Sequence, residues 1–439
     1  MSRGVTKVST LDHPDLHVTY GQAQVEPREL YQVTGLGPQG SLGIWNGDIH
    51  TLRSALLERM YFCKVGQGFE PAPLVQRDYV DSVLREFHGL LVKRFRATPF
   101  TTEEVVDTYK GRKKSIYERA QENLRMYGLK RKHATSVAFV KVEKVKLSGA
   151  PRVIQPRKPE YNLMLGKYIK VVEHRLYRRI AKIFGDGPTV MKGYTVVDVA
   201  RICRAKWDSF RRPVALGLDA TKFDMHVGPA ILGWEHSNYN AIFQSEELRR
   251  LLEWQMNNRG LAFAPDGKLR YKVRGKRFSG DMNTALGNCI IMCGLVWTYA
   301  KLRGVDIKLV NNGDDCVVFM ERDDLDKFTQ GLDEWFLTMG FRMVAEPPAF
   351  EFEHLEFCQM HPIMGADGWI MVRNLSAALV KDCLVTTKFD GDGLQKWLYA
   401  VGECGLSLCS GIPVMQAFYE AMMRNGVKND GISNSVQFS

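Results

Sequence analysis

The chain lacks most features that would place it in a specialised class. No apolar run reaches the roughly 20 residues of a membrane-spanning helix. The stretch from Cys289 to Trp297 is too short and reads as buried packing. The nine cysteines are odd in number and scattered, with no Cys-x-x-Cys pair. This argues against a structural zinc site, points to a reducing compartment and leaves the cysteines as small buried hydrophobes. No repeat, heptad run or low-complexity tract is present, so solenoids and coiled coils are excluded. Met1-Ser2-Arg3-Gly4 leads into mixed polar sequence, so no secretory leader is expected. At 439 residues the chain exceeds one average core, and subdomains follow.

Acidic residues are scarce in one place. Between Lys110 and Lys158 there are 15 Lys and Arg against 3 Glu and no Asp, an excess of 12 compared with +11 for the whole chain. Charge concentrated in this way points to phosphate binding, whereas Lys130-Arg131-Lys132 alone would pass for a solvated face. Phe139 to Lys144 and Pro151 to Arg157 alternate apolar and basic residues. That pattern fits strands with one charged face, as in the wall of a channel.

Gly313-Asp314-Asp315 lies between the apolar runs Ile307–Val310 and Cys316–Met320. The pattern predicts two strands and a tight turn with two carboxylates at its tip. Adjacent carboxylates repel unless a cation lies between them, and oxygen ligands of this kind favour Mg²⁺ or Mn²⁺. Asp219 follows the apolar run Val214–Leu218 and would emerge at the end of a buried strand. If that strand lies beside the hairpin, Asp219 and Asp314 converge on the same ions, as two-metal phosphoryl transfer requires. Asp224 lies five residues on and takes a different role.

Ser279-Gly280 reads as a loop before a helix that runs to about Leu302. Thr284 and Asn288 share one face of that helix. With Asp224, they can read a ribose 2′-hydroxyl. His226 reads as a capping or packing residue. Trp297, Trp335 and Trp397 read as core, with Trp397 or Tyr399 as an alternative stacking platform.

In order, the chain carries a basic segment ending Pro-Arg-Val-Ile-Gln-Pro-Arg, then Asp-x-x-x-x-Asp, Ser-Gly-x-x-x-Thr-x-x-x-Asn, Gly-Asp-Asp and Glu356-Phe357-Cys358-Gln359. This set resembles the RNA-directed RNA polymerases of small positive-strand RNA plant viruses, the tombusvirus-like group, over about residues 45 to 425. The resemblance implies an α+β right-hand fold with fingers, a palm built on an antiparallel sheet, and a helical thumb. It implies RNA-templated nucleotidyl transfer with primer-independent initiation and two Mg²⁺ ions, for which Mn²⁺ can substitute. Asp219, Asp314 and Asp315 would be the metal carboxylates. Asp224, Ser279, Gly280, Thr284 and Asn288 would position the ribonucleotide. Lys144, Arg152 and Arg157 would meet the triphosphate, helped by Lys141, with Lys222 in a nearby basic slot. Glu356, Phe357, Cys358 and Gln359 would grip the nascent 3′ end, and Lys130, Arg131 and Lys132 would contact RNA. Related enzymes often carry a Lys general acid between the Gly-Asp-Asp and the grip. Here Arg342 is the nearest base, and its very high pKa makes it at most an electrostatic helper.

The expected divisions are an extended, partly flexible segment at 1–45, fingers at 46–207 and 231–278, palm at 208–230 and 279–360, and thumb and tail at 361–439. The partners implied are template and nascent RNA, NTPs, host factors and an accessory viral replication protein that carries the membrane anchor. The resemblance places the chain in a membrane-associated complex in the host cytoplasm, attached through partners because no transmembrane segment is read in the chain itself. A DNA-making polymerase and a non-catalytic RNA-binding protein are the rival readings.

Overall fold

The structure is a computed structural model that describes residues 1–33, 42–185 and 187–428. It mixes helix and sheet. Nine strands, in chain order, form the two largest sheets: β1 (Leu16–Tyr20), β2 (Ser136–Val140), β3 (Val153–Ile154), β4 (Pro213–Ala220), β5 (Asn257–Ala264), β6 (Gly267–Arg274), β7 (Lys308–Asn312), β8 (Asp315–Glu321) and β9 (Met343–Ala345). Strands β7, β8, β4 and β9 make a four-stranded sheet in that order, antiparallel throughout. Its apolar side chains enter the main core and a second cluster on its other side. Residues such as Leu216 and Val318 face one cluster, and Ala215 and Val317 face the other. Burial on both faces explains why these strands read as continuous apolar runs.

The second sheet has the order β1-β6-β5-β2-β3. It is antiparallel apart from the parallel pair of β2 and β5. Its inner face packs on helix α1 (Ile49–Leu56), which Asp48 caps by accepting from Thr51 N–H. The chain from 231 to 278 returns to this sheet, because β5 and β6 close on β2.

Helix α2 (Pro159–Phe184) opens on Pro159 and closes on Gly185 at φ 80°. Part of its basic side is engaged within the fold. The Arg175 guanidinium sits over Phe95, and Arg179 donates to the Lys93 carbonyl. Helices α3 (Pro229–Phe243) and α4 (Glu246–Met256) cover the core beside α5 (Thr284–Arg303). Helix α5 is long and apolar enough to cross a membrane, but 78% of its apolar window is buried inside the fold, as expected of a core helix. Helices α6 (Gly393–Cys409) and α7 (Met415–Arg424) pack on each other around a separate small core.

The first 33 residues are more integrated than the sequence suggests. Strand β1 forms an edge of the five-stranded sheet. Glu29–Gln32 pairs with both Ser2–Arg3 and Leu384–Val385, so the first segment reaches the C-terminal part of the chain. The glycine-rich stretch at Gly35, Gly37, Pro38 and Gly40 lies outside the described residues, as does the tail from 429.

Candidate active site

The β7–β8 hairpin places Asn312 opposite Asp315, leaving Gly313 and Asp314 as the two turn residues. Gly313 has φ 87°, the left-handed value that a II′ turn needs at its first position. Fully buried Asn311 clamps the turn: its Nδ2 donates to the Gly313 carbonyl at 2.7 Å, and its Oδ1 accepts from Gly313 N–H at 3.3 Å. Cys316 pairs with Leu218 on β4. Asp219, one residue on, therefore emerges beside the hairpin tip, as its strand position predicted.

Charge is crowded here. Burial, then the Asp314 carboxylate, raises the Asp219 pKa. The same two causes, in that order, push Asp224 up to about 6. Burial also raises Asp315, opposed by the N–H that Cys358 donates to its Oδ2 at 3.1 Å. Among the described residues, no hydrogen bond engages the Asp219 or Asp314 carboxylate. Hard oxygen donors held together against their own repulsion suit Mg²⁺ or Mn²⁺. No three His, Cys, Asp or Glu side chains among the described residues form a preformed cage, so ligand closure would involve side-chain movement.

Behind the carboxylates runs a buried polar chain. Asn288 Nδ2 donates to Asp224 Oδ1 at 3.3 Å, and Arg277 Nε donates to Asn288 Oδ1 at 2.9 Å. Arg277 is in turn paired with Glu235, and both side chains are wholly buried. Glu235 also accepts from Asn283 and Tyr239. The Arg277 donor occupies the Asn288 oxygen, so the amide NH₂ must face Asp224. Of the three residues expected to read the ribose, Asp224 and Asn288 are thus hydrogen-bonded to each other with the Asn288 amide oriented. Thr284 shares the helix of Asn288, but its hydroxyl donates to the Phe278 carbonyl at 2.9 Å. Ser279 is exposed. Gly280 lies against Gln155 and Pro156, and a Cβ there would come within 2.6 Å of Pro156 Cα.

Glu356 to Gln359 forms a tight turn. Phe357 and Met360 exchange both backbone hydrogen bonds, with Cys358 and Gln359 at φ 53° and 61°. Two left-handed residues in succession define a I′-type turn, here without glycine. The bond from Cys358 N–H ties this turn to Asp315.

The basic residues divide. Lys141 and Arg152 both lie near Glu143, at 3.3 and 3.4 Å, and Arg152 is exposed. The Arg152 charge reaches Asp224 and lowers its pKa slightly. Lys130, Arg131 and Lys132 are exposed at the start of a short 3₁₀ turn. Three expectations need correction. Arg157 is fully buried, paired with Asp281 and donating to Ala134 O and Asn258 Oδ1, so it holds the core together and does not face a triphosphate. Lys144 Nζ donates to the carbonyls of Lys381 and Leu384, at 2.5 and 2.9 Å, which links it to the C-terminal part. Lys222 is left-handed at φ 47°, and its Nζ donates to the Glu58 carbonyl at 2.7 Å. In each case a distant partner decided the role. Arg342 pairs with Glu70 at 2.9 Å. His226 is buried, stacks on Phe341 and has its pKa lowered to about 4 by burial, in line with a packing role.

Three positions escaped sequence reasoning. Arg59 projects from a single π-helical turn, Leu57–Tyr61, and its charge couples to Arg152, Glu143 and Asp224. π turns often mark functional sites. Glu346 follows β9, and its pKa is raised by burial and by Glu356, Asp315 and Asp219. Asn311 was visible only as a polar residue in an apolar strand.

The antiparallel sheet thus carries a Gly-Asp-Asp hairpin beside an Asp-bearing strand and gathers Asp219, Asp314 and Asp315 at one place. The family described as viral RNA-dependent RNA polymerase matches residues 16–439, and the chain belongs to it. It is 40% identical to the RNA-directed RNA polymerase of Turnip crinkle virus over 430 residues, covering 96% of this chain and 54% of that protein. It is 40% identical to that of Tobacco necrosis virus (strain A), covering 99% and 60%, and 39% identical to that of Carnation mottle virus, covering 94% and 55%. The chain therefore spans little more than half the length of these relatives.

Proposed function

We propose that the chain carries out RNA-templated RNA synthesis, in which a nascent 3′-hydroxyl attacks the α-phosphate of an NTP and releases pyrophosphate. The observation that carries this reading is the juxtaposition of Asp219 with the Asp314 hairpin tip, backed by the Asp224–Asn288 pair. In right-hand terms, the four-stranded sheet is the palm, the five-stranded sheet with its helices is the fingers, and α6 and α7 belong to the thumb. Asp219 and Asp314, with the remaining oxygen of Asp315, would hold two Mg²⁺ ions or Mn²⁺ in their place. Such ions acidify the attacking hydroxyl and neutralise charge on the leaving group.

The chain's own residues do the rest. Asn288 donates and Asp224 accepts at the ribose 2′-hydroxyl. Arg152, Lys141 and Arg59 attract the triphosphate. The turn at Glu356–Gln359 steadies the 3′ end, and its N–H bond to Asp315 links that grip to the carboxylates. Lys130, Arg131 and Lys132 attract RNA phosphates. Initiation proceeds without a primer. The chain works with template, NTPs, host factors and an accessory replication protein that brings it to host membranes in the cytoplasm.

The rival reading, a DNA-making enzyme, is disfavoured by a polar pair at the ribose position. Extending an annealed RNA primer with NTPs and with dNTPs tests the choice. Extension with NTPs at least a hundredfold more efficient supports the proposal. Equal use of dNTPs, or no extension with either metal, refutes it.

A further inference from the structure

We propose that the outer face of the five-stranded sheet is a stacking platform for single-stranded RNA, separate from the carboxylate site. The register brings the key side chains together. Strands β2 and β5 run parallel with Ala138 beside Ala262, so Phe139 and Phe263 are neighbours on the same face. They are 47% and 59% exposed, although large aromatics are normally covered. Lys268 on β6 lies opposite Phe263, and Lys272 lies opposite Arg259 on β5, with Arg270 between them. The alternate residues Ala138, Ala262, Leu269 and Tyr271 point into the core, so the aromatic and basic set must point out.

The chemistry selects the occupant. The five strands contain no Asp or Glu. Asp266, in the β5–β6 turn, is engaged by Ile49 N–H. Among the described residues, none of Arg259, Lys268, Arg270 and Lys272 forms an ion pair, whereas many exposed bases elsewhere do. Unpaired cations flanking two exposed rings suit a flexible polyanion that carries its own π-faces. Bases stack on the phenyl rings and phosphates lie along β6. A protein partner would need acidic side chains to meet the bases and a broader apolar patch than two rings. The polymerase reading supplies only the identity of the strand. The aromatic pair and the unpaired cations stand without it.

The test is binding of a labelled 12-nucleotide RNA to the chain, followed by fluorescence anisotropy across a salt series, with no nucleotide present. Phe139→Ala with Phe263→Ala should weaken binding about tenfold or more without changing the salt slope. The paired Tyr substitutions should restore affinity. Lys268→Gln, Arg270→Gln and Lys272→Gln together should reduce the slope by about 2, from about 0.7 per phosphate. In the wild type, RNA carrying photoreactive uridine should crosslink within 137–139 or 259–263, a result that does not depend on any variant folding. Unchanged affinity in both variant sets, or crosslinks confined to other segments, overturns the platform. Because the readout needs no catalysis, a chain that fails to extend primers yet binds in this way refutes the polymerase reading and leaves the platform standing.

Discussion

Asp224→Asn should stabilise the ion-free protein. The Asp224 carboxyl moves from 3.8 to about 6 on folding, mainly because burial and then Asp314 disfavour its charge. A raised carboxyl pKa means that the folded state binds the proton more tightly than the unfolded state. The charged form therefore costs stability above the folded pKa. The cost shrinks as pH falls from about 6 to 3.8 and is absent below. A displacement of that size corresponds to about 3 kcal/mol at pH 7.5. Asparagine keeps the shape and can still accept from Asn288, so little opposes the gain. For a chain of 439 residues, about 3 kcal/mol raises the unfolding midpoint by roughly 3 °C. Thermal unfolding of both proteins at pH 7.5 and pH 5, without divalent ions, measures it. The variant should be more stable at pH 7.5, and the gap should narrow at pH 5. A variant no more stable at pH 7.5, or a gap indifferent to pH, would refute the argument from crowded carboxylates.

Other outcomes follow from the same contacts. Arg157→Ala leaves Asp281 buried without its partner and should cost about 3–5 kcal/mol in urea unfolding, far more than loss of a surface phosphate contact. Gln359→Gly removes a side chain from a left-handed position and should stabilise by about 1 kcal/mol in the same assay. Asn288→Ala should reduce the preference for NTP over dNTP about tenfold or more, measured as a ratio of kcat/KM, since it removes the amide donor held beside Asp224 that the proposal assigns to the ribose.

The parts of the site most legible in the sequence were those built by local pattern. The hairpin around Gly313, the strand ending at Asp219 and the helix from Thr284 each carry their own periodicity or turn residue, and all three formed where expected. What escaped depends on partners far along the chain. Strand β1 pairs with β6, some 250 residues away, and nothing in Leu16–Tyr20 names that partner. Arg157 looked like its neighbour Arg152 because both sit in one alternating basic run. Only Asp281, 124 residues on, turns Arg157 into a buried ion pair. Lys144 is decided by carbonyls near residue 381, and carbonyls have no sequence signature.

The central claim is that Asp314 serves RNA synthesis at the hairpin tip. The direct measurement sets the wild-type chain beside Asp314→Asn on one short RNA template with labelled NTPs and Mg²⁺. Template-length product from the wild type, with none from the variant although it still binds RNA, is the predicted result. Equal product from both proteins would contradict the account.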